Sequence, residues 1–290
     1  MKLGRRLRAG IVAVAAGAAM AGPVAPAGAQ DDSGAGAQEA LEYVALGDSA
    51  AAGPLVPNQD PNLLCLRSDR NYPAVAAQQL GARLTDVTCS GATTADLAGR
   101  RLGVLDPQFD ALNPGTDLVS VTIGANDSGL FQQALGCMNV LPEPAGVSCA
   151  DRLTAGGRDQ LAEAVAQWAP KFGAALDEIR RRAPEAKIVV TGYGTYIRPG
   201  GCHPAQPVWP RDADYLQSVM NKISTAAERQ ATARGARFVD FAELTVGHDI
   251  CAPREDRYLE GLIPAQVAAP LHPNKRGMVA FGKAVAAAAR

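Results

Sequence analysis

The sequence predicts an α/β protein built on a doubly wound, parallel β-sheet of about five strands. Short apolar or β-branched runs, which are typical of buried strands, alternate with longer stretches whose apolar residues recur at helical spacing. Alternating strands and helices are the pattern of a parallel sheet with crossover helices. The chain has 290 residues, of which 47% are hydrophobic, so it is long enough to bury a substantial core.

The N-terminus has the pattern of a secretory signal peptide rather than of a membrane anchor. Basic residues at the start precede an apolar stretch from Ile11 to Ala21, and the small residues at 27–29 suit signal peptidase. Pro23 and Pro26 interrupt the apolar stretch well short of the ~20 residues that a membrane span needs. The paired arginines at 5–6 are also compatible with twin-arginine export.

These features predict the domain organisation and the location of the protein. We expect cleavage near Ala29, so that residues 1–29 are removed and the mature chain is secreted. Residues 30–40 are predicted to be a flexible segment because they are rich in Asp, Ser, Gly and Gln. Residues 41–290 are predicted to form one domain, since no linker divides them.

Five runs are predicted to be strands and five stretches to be helices. The strands are Tyr43–Leu46, Leu84–Thr88, Leu118–Ile123, Lys187–Thr191 and Arg237–Phe241. The helices are Tyr72–Leu80, Thr94–Leu102, Arg158–Arg182, Tyr215–Arg234 and Lys275–Ala289, several of which end at glycine or before proline. Since parallel strands end at the same edge of a sheet, the loops that follow them are where a site is expected.

The first predicted strand ends at a turn that presents a serine. Residues 43–53 read Y-V-A-L-G-D-S-A-A-A-G, an apolar run that breaks at Gly47 and places Ser49 just beyond the strand. Glycine and the small residues after it permit a tight turn with close backbone approach. A serine after a strand is more often only a helix cap. Its place at the ligand-binding edge of the sheet nevertheless makes Ser49 the candidate nucleophile.

Two later strand-end loops contain candidate hydrogen-bond donors. Residues 89–93, C-S-G-A-T, include Gly91, whose backbone N–H no side chain obstructs. Residues 124–127, G-A-N-D, include Asn126, whose amide can donate two hydrogen bonds. Either loop by itself is ordinary turn chemistry.

The chain has three histidines that could act as a base. His272 stands immediately before the last predicted helix, which would fix its position. His203 and His248 lie in cysteine-containing loops and are interpreted as loop histidines. His272 is therefore the candidate base.

Six cysteines in a chain predicted to be exported indicate disulfide bonds. Several pairings are possible, and chain order favours the sequential one because each sequential pair brackets a loop-rich segment near a strand end. A zinc site is the alternative, but only the adjacent Cys202 and His203 support it. The favoured pairs are Cys65 with Cys89, Cys137 with Cys149, and Cys202 with Cys251.

These blocks together resemble the SGNH hydrolases, also called GDSL esterases and lipases. The matching residues are G-D-S at 47–49, the glycine at 91, G-A-N-D at 124–127 and the late histidine at 272. The resemblance covers nearly the whole predicted mature chain. Three successive disulfides and a signal peptide are similar to the secreted bacterial lipase and esterase branch. The resemblance implies a three-layer, flavodoxin-like fold with helices on both faces of the sheet.

The resemblance also implies a role for each matching residue. Ser49 would be the nucleophile and His272 the general base. The oxyanion hole would comprise the Ser49 N–H, the Gly91 N–H and the Asn126 side-chain amide. Acyl transfer needs such a set, because a hydroxyl must be deprotonated and donors must face the oxyanion that forms.

One position departs from the family pattern. The family usually has an aspartate three residues before the histidine, whereas this chain has Ala269 there. The resemblance to members that use a backbone carbonyl implies that Ala269 or Pro270 accepts the Nδ1 proton of His272. The sequence therefore predicts a Ser–His dyad.

Four carboxylates near the candidate residues have other expected roles. Asp256 and Glu260 compete as orienters of the histidine, but their charged stretch at 254–260 is predicted to be a solvated loop or short helix. Asp48 and Asp127 flank the candidate residues and are interpreted as turn organisers, because an aspartate readily accepts neighbouring backbone N–H groups.

The predicted function is a secreted serine carboxylic ester hydrolase that acts on lipids or small esters. A phospholipase or a carbohydrate deacetylase could use the same residues. The missing aspartate supports a third alternative, a non-catalytic extracellular lipid- or glycan-binding protein. Loop residues that would suit an acyl chain are Leu55, Val56, Leu63, Leu64, Val208, Trp209, Leu262 and Ile263.

Composition and net charge limit the classes of molecule that the protein is expected to bind. The net charge of −1 provides no field that would gather nucleic acid or an anionic membrane. No metal and no organic cofactor is predicted, because the chemistry requires none and the sequence has no phosphate cradle or two-histidine helix motif. We expect a monomer without a stable membrane anchor that binds a small-molecule or lipid ester.

Overall fold

Five parallel strands form one sheet in the order β2-β1-β3-β4-β5 in the computed structural model, which describes residues 40–290. The predicted signal peptide and its cleavage site at Ala29 lie outside the described residues. The strands are β1 (Glu42–Gly47), β2 (Arg83–Asp86), β3 (Leu118–Thr122), β4 (Lys187–Thr191) and β5 (Arg237–Val239). Every neighbouring pair is parallel, so the predicted sheet is confirmed.

Helices of very different length connect the strands. The short ones are α1 (Ser49–Ala52), α3 (Thr94–Ala98), α4 (Leu130–Leu135), α5 (Cys149–Leu153) and α8 (Ala242–Thr245). The long ones are α2 (Tyr72–Leu80), α6 (Gln160–Arg182), α7 (Pro210–Thr232) and α9 (Lys275–Ala289). Short 3₁₀ turns occur at Gln108–Ala111 and Ala155–Gly157.

The strand order determines how the helices are layered. From β1 the chain moves to one edge at β2, and from β2 it crosses back to build β3, β4 and β5 on the other side. Because such crossovers are right-handed, the change of direction places α2 on one face and α6 and α7 on the other. Helix α9 then packs against α2, and α6 packs against α7. The result is the predicted three-layer α/β architecture.

Strands and helices share one apolar core. β1 and β3 are buried almost throughout, which is why they read as continuous apolar runs rather than alternating ones. On the α6 side the core contains Trp168 and Phe172, whose rings stack with centroids 5.1 Å apart. On the α9 side Phe241 stacks on Phe281 at 4.0 Å. The sheet is therefore covered by aromatic packing on both faces.

The boundaries differ from the prediction mainly at two helices. Helix α3 was predicted to end at Leu102 but ends at Ala98. Helix α7 was predicted to begin at Tyr215 but begins at Pro210. Proline is well tolerated in the first turn of a helix because the N–H it lacks would have no partner there. The proline-rich loop before α7 made the start of this helix difficult to recognise in the sequence.

The six cysteines form three disulfides in the predicted sequential order. Cys65 pairs with Cys89, Cys137 with Cys149, and Cys202 with Cys251. Each disulfide fixes loops at or near the carboxyl edge of the sheet. Across residues 40–290, the helices lack the combination of length and apolar character that crossing a membrane requires.

Removing the disulfide that closes the longest loop is expected to lower the free energy of unfolding the most. Cys202 and Cys251 are 49 residues apart, whereas Cys137 and Cys149 are 12 apart. If the disulfides act by restricting the unfolded chain, replacing both cysteines of the longer pair by serine should lower the free energy of unfolding by about 4 kcal/mol, against about 3 kcal/mol for the shorter pair. Urea unfolding of both variants followed by circular dichroism measures this, and the reverse order would contradict the loop-length explanation.

Candidate active site

An apolar cavity opens at the carboxyl edge of the sheet and reaches the predicted site residues. Its volume, taken as the space that water-sized molecules can occupy, is about 80 Å³, so it is a narrow cleft. Ser49, Asn126 and His272 all line it. The rest of the lining is mainly apolar and includes Leu130, Phe131, Ala134, Tyr196, Ile197, Val208, Leu216, Met220, Ile250, Leu262 and Leu271.

The turn after β1 is built so that Ser49 begins a helix at the cavity. Gly47 has a φ of 146°, and a Cβ there would lie 2.5 Å from the backbone oxygen of Thr122, so only glycine fits. Asp48 is the N-cap of α1, and its carboxylate accepts a hydrogen bond from the Ala50 N–H at 2.8 Å. Ser49 is therefore the first residue of α1, a short helix that the sequence analysis did not predict.

A buried glutamine clamps this turn. The side chain of Gln108 accepts from the Gly47 N–H at 2.8 Å and donates to the Gly47 carbonyl at 2.9 Å. The same turn also carries sheet-like bonds, because the Asp48 N–H donates to Thr122 and the Gly47 carbonyl accepts from Cys89. Gln108 was not identified from the sequence, since nothing local relates residue 108 to residue 47.

Ser49 and His272 meet directly. The distance from Ser49 Oγ to His272 Nε2 is 2.6 Å, and that from His272 Nδ1 to the Pro270 carbonyl oxygen is 2.7 Å. Because a carbonyl only accepts, Nδ1 donates and carries the proton. In neutral imidazole Nε2 is then the acceptor, so the Ser49 hydroxyl donates to it.

The backbone before His272 makes this contact possible. Leu271 has a φ of 60°, in the left-handed region that a non-glycine residue adopts at a cost on the order of 1 kcal/mol. This conformation turns the Pro270 carbonyl back toward the histidine ring. Of the two predicted orienters, Pro270 contacts the ring, whereas the Ala269 N–H bonds to the Pro54 carbonyl.

Burial sets the basicity of His272. The residue is 6% exposed and its ring faces that of Phe131 at 5.4 Å. Burial lowers the pKa of His272 from its ordinary 6.5 to about 4, and the hydrogen bond to Pro270 opposes that shift only in part. His272 is thus neutral, with its Nε2 lone pair available, over nearly the whole working range of pH.

The predicted oxyanion donors lie on adjoining loops. Gly91 has a φ of 79°, and its carbonyl accepts from Arg101 at 3.1 Å. The Asn126 amide donates one hydrogen bond to the Ala92 carbonyl at 2.9 Å, which joins its loop to that of Gly91. Within residues 40–290, the backbone N–H groups of Ser49 and Gly91 have no hydrogen-bond acceptor, so both are free to bind a ligand.

Two further contacts hold those loops together. Both carboxylate oxygens of Asp127 lie 3.0 Å from the Thr94 N–H, in accord with the interpretation of Asp127 as a loop organiser. Arg101 also donates to the Ser90 carbonyl at 2.9 Å. Because Arg101 holds the carbonyls of residues 90 and 91 on one side, it fixes the peptide orientation next to the Gly91 N–H. Sequence reasoning missed Arg101, since it was placed in the predicted helix 94–102.

Asp48 and Tyr193 connect the serine turn to the asparagine loop. The Tyr193 hydroxyl donates to the Asp48 carboxylate at 2.5 Å and accepts from the Ala125 N–H at 3.1 Å. Asp48 is almost fully buried, and burial raises its pKa from 3.8 to about 7, despite the stabilising bonds from Tyr193 and Ala50. One tyrosine therefore positions Ser49 relative to Asn126.

The interpretation of Glu260 as a solvated residue is wrong. Its side chain is fully buried; Oε1 accepts from the Asn274 amide at 2.7 Å and Oε2 from the Ala265 N–H at 2.7 Å. Its backbone N–H donates to the His272 carbonyl at 2.9 Å. Glu260 thus braces the backbone of the histidine loop without contacting the ring. The charged neighbours at 254–257 misled the prediction, because they are largely exposed and Glu260 is not.

The remaining candidates lie elsewhere. Asp256 is exposed and its carbonyl contacts the Nδ1 of His248. His203 bonds to the Asn139 carbonyl at 3.0 Å, so both spare histidines are in loop contacts, as expected. Of the loop hydrophobics proposed for an acyl chain, Val208 and Leu262 line the cavity. The others, Leu55, Val56, Leu63, Leu64, Trp209 and Ile263, do not line it.

Comparison with known sequences identifies relatives over most of the chain. The profile of the GDSL-like lipase/acylhydrolase family matches residues 45–280. Lipase 2 of Streptomyces coelicolor is 41% identical over 245 residues, which cover 82% of each chain. A lipase of Streptomyces rimosus is 34% identical over 220 residues, covering 74% of this chain and 75% of the other.

Solved structures of two relatives share the fold. An extracellular lipase from Streptomyces rimosus superposes with a TM-score of 0.72 at 28% identity, covering 86% of this chain and all of the other. A phospholipase A1 from Streptomyces albidoflavus superposes with a TM-score of 0.70 at 27% identity, covering 86% and 98%. The likeness thus extends over most of the chain.

Replacing Asp48 by asparagine is expected to flatten the pH dependence of stability. The pKa of Asp48 is about 7 in the folded protein, above that of an unfolded aspartate. Its contribution is therefore fully present below about pH 4 and is lost as the pH rises through about 7. An asparagine could still accept from the Ala50 N–H through Oδ1, and its Nδ2 could donate to the Tyr193 hydroxyl. It would carry no charge, so a decline of up to about 4 kcal/mol should be absent.

Urea unfolding of the wild type and Asp48→Asn between about pH 4 and about pH 8 measures this difference. Other groups titrate in both proteins and cancel in the comparison. Parallel stability curves for the two proteins would show that Asp48 does not titrate as described.

Proposed function

The chain belongs to the GDSL-like lipase/acylhydrolase family and is a carboxylic ester hydrolase, and we propose that it cleaves acyl esters with Ser49 as nucleophile and His272 as general base. The observation that carries this assignment is the 2.6 Å contact between Ser49 Oγ and His272 Nε2 at the end of an apolar cavity. A serine and a base in hydrogen-bond contact are what nucleophilic acyl transfer requires.

In the first half of the reaction, Ser49 Oγ attacks the ester carbonyl while its proton passes to His272 Nε2. The imidazolium that forms keeps its Nδ1 proton on the Pro270 carbonyl and gives the Nε2 proton to the leaving alcohol. In the second half, His272 takes a proton from water, which attacks the acyl-enzyme and releases the acid. The dyad is restored with one ester bond hydrolysed.

Three donors would stabilise the oxyanion. The free N–H groups of Ser49 and Gly91 and the second N–H of the Asn126 amide come from three adjoining loops. Because such donors are fixed before reaction, they stabilise charge without reorganisation in the transition state. Arg101, Asp127 and Tyr193 are proposed as positioning residues for these loops.

The apolar cavity supports esters of aliphatic acids as substrates. Its wall beyond Ser49 is formed by α4 residues such as Leu130 and Phe131 and by Val208, Met220 and Leu262. Phospholipids are a second candidate substrate class, because the phospholipase A1 of Streptomyces albidoflavus is similar along almost its entire length. The non-catalytic alternative is not retained for a member of this family with serine and histidine in contact.

We further propose that the mature protein is secreted as a monomer comprising residues 41–290 after a flexible segment. Three disulfides support an oxidising compartment. The solved lipase of Streptomyces rimosus is named as extracellular. The predicted leader at 1–29 supports export, and mass spectrometry of the secreted protein would locate its N-terminus.

Ester hydrolysis by matched variants tests the assigned roles. Ser49→Ala is expected to reduce kcat/KM for p-nitrophenyl esters by at least about 10⁴-fold. Asn126→Ala should reduce kcat by about 100- to 1000-fold with a much smaller effect on KM, since its donor acts mainly in the transition state. Asn113→Ala, at an exposed asparagine before β3 and away from the strand-end loops, is the control.

A chain-length series from acetate to palmitate, with phosphatidylcholine alongside, would define the acyl preference. Unchanged hydrolysis by Ser49→Ala would remove Ser49 from the proposed mechanism.

The pH profile should reveal the unusual basicity of His272. Only neutral histidine can accept the proton, so kcat/KM should stay level as the pH falls and decline only as it passes through about 4. An ordinary imidazole would give a decline near about 6.5. Rates measured with a butyrate ester from about pH 3.5 to about pH 8, in Asp48→Asn as well as the wild type, separate His272 from Asp48. A decline near about 6.5 in both proteins would refute the low basicity.

A further inference from the structure

Phe131 contacts the proposed base inside the cavity. Its ring centroid lies 5.4 Å from that of His272, and the two ring planes are inclined at 59°. Aromatic pairs prefer tilted or edge-to-face arrangements at centroid distances of about 4.5 to 7 Å. Both side chains line the cavity, yet His272 is only 6% exposed. Phe131 therefore provides part of the burial of the imidazole on the side that faces the cavity.

The hydrogen bonds of the His272 ring leave part of its position to packing. Nδ1 donates to the Pro270 carbonyl at 2.7 Å, and this carbonyl belongs to the same loop, two residues before the histidine. Within residues 40–290, the other bond of the ring is the one to Ser49, whose proton the ring must accept. A contact from outside the histidine loop is therefore needed to fix the ring, and Phe131 provides one.

The ring of Phe131 and the amide of Asn126 belong to one hydrogen-bonded unit. The Gly129 N–H donates to the Asn126 carbonyl at 3.1 Å, and two further backbone bonds close the turns between residues 124 and 130. Helix α4 continues directly from these turns, and Phe131 is its second residue. A disulfide fixes the chain two residues beyond the end of α4. The segment that carries the proposed oxyanion amide thus also places the aromatic ring on the base.

The titratable side chains that share the cavity with His272 are engaged with other groups or stay neutral. In the part of the chain that the structure describes, they are Asp48, Tyr193 and Tyr196. Burial raises the pKa of both tyrosines, so their hydroxyls stay protonated. The Asp48 carboxylate bonds to the Tyr193 hydroxyl and the Ala50 N–H rather than to the imidazole.

Charged groups on the surrounding elements have partners away from the imidazole. The Glu260 carboxylate bonds to groups of its own region, and Asp127 accepts from the first N–H of α3. Arg152 of α5 donates to Gln133 of α4 at 3.0 Å. Two positions along a helix are about 200° apart, so this contact lies on the side of α4 opposite the aromatic ring. Packing rather than charge thus dominates the environment of the base.

From these contacts we propose that Phe131 is a positioning residue for His272: its ring excludes water from one side of the imidazole and keeps Nε2 directed at Ser49. The inference rests on the proposed function, in which His272 is the base. Burial lowers the pKa of a histidine because the cation loses hydration, so Phe131 is one source of the low pKa of His272. Activity in acid then depends on a side chain that exchanges no proton.

Removing the ring should make ester hydrolysis sensitive to acid. In Phe131→Ala water reaches the imidazole, and the pKa of His272 should rise from about 4 to about 6. At about pH 5 the neutral fraction of the base then falls from about 90% to about 10%. The ratio of kcat/KM at about pH 5 to that at about pH 8 should therefore fall about tenfold for a butyrate ester.

The titration of the histidine is also measured directly, without turnover. NMR follows the ring protons of His272 in the mature wild type and in Phe131→Ala between about pH 3.5 and about pH 8. The signals of His272 are identified by their loss in His272→Gln. Because this readout needs no substrate, it tests the role of Phe131 independently of the catalytic assignment.

Two matched variants separate the cover on the imidazole from the shape of the cavity. Phe131→Leu retains an apolar side chain over the ring and should keep the pKa of His272 near about 4 and restore activity at about pH 5. Met220→Ala removes an apolar side chain from the α7 wall of the same cavity. It should leave the titration of His272 unchanged, whatever its effect on KM.

Three outcomes would overturn the proposal. They are an unchanged His272 titration in Phe131→Ala, an equal rise in pKa in Met220→Ala, and a rise in Phe131→Leu as large as that in the alanine variant. Circular dichroism checks that each variant folds, and Phe131→Gln, which places a polar side chain over the ring, repeats the test if Phe131→Ala unfolds. Unchanged ester hydrolysis by His272→Gln would instead refute the catalytic assignment and leave the NMR result standing.

Discussion

The hydrogen bond between Ser49 and His272 joins side chains 223 residues apart, and the rest of the structure determines whether they meet. Ser49 is fixed by the strand β1, which lies between β2 and β3, and by the clamp of Gln108 on Gly47. His272 is fixed by α9, which packs on α2 next to the same turn. A shift of about 1 Å in either element would weaken the contact severely. The three-layer packing is thus part of the chemistry.

Among residues 40–290, a carbonyl and not a carboxylate accepts from the ring of His272. This affects both the pKa of the histidine and the stability of the imidazolium that forms during the reaction. A nearby carboxylate would raise the pKa of His272, whereas burial beside a neutral carbonyl lowers it. The base therefore stays free of its proton in acid, but it accepts the serine proton less readily and forms a less stabilised imidazolium. The three proposed oxyanion donors offset this weaker stabilisation of the imidazolium, because they stabilise the negative charge that develops on the substrate oxygen.

Much of the fold and of the site could be predicted because the informative residues are local. Buried strands leave continuous apolar runs, and Ser49 and Asn126 follow such runs directly. The short helices α1, α4, α5 and α8 were not predicted, since four to six residues display no periodicity. Gln108, Arg101 and Tyr193 were missed for a different reason: each acts through contacts with residues distant in sequence, and each alone resembles an ordinary polar residue. Glu260 was misjudged because sequence neighbours, and not the tertiary environment, suggested that it was solvated.

Buried hydrogen bonds support the loops around the cavity. Asp48, Glu260 and Tyr193 satisfy their polar atoms inside the protein, and an unsatisfied one would cost about 1–3 kcal/mol. These bonds fix the loops that carry Ser49, Asn126 and His272 at the edge of the sheet. Disulfides at the same loops act in the same sense, because they limit the alternative conformations available to each segment. The apolar cavity is therefore bordered by loops that a framework of buried polar bonds anchors at the sheet edge.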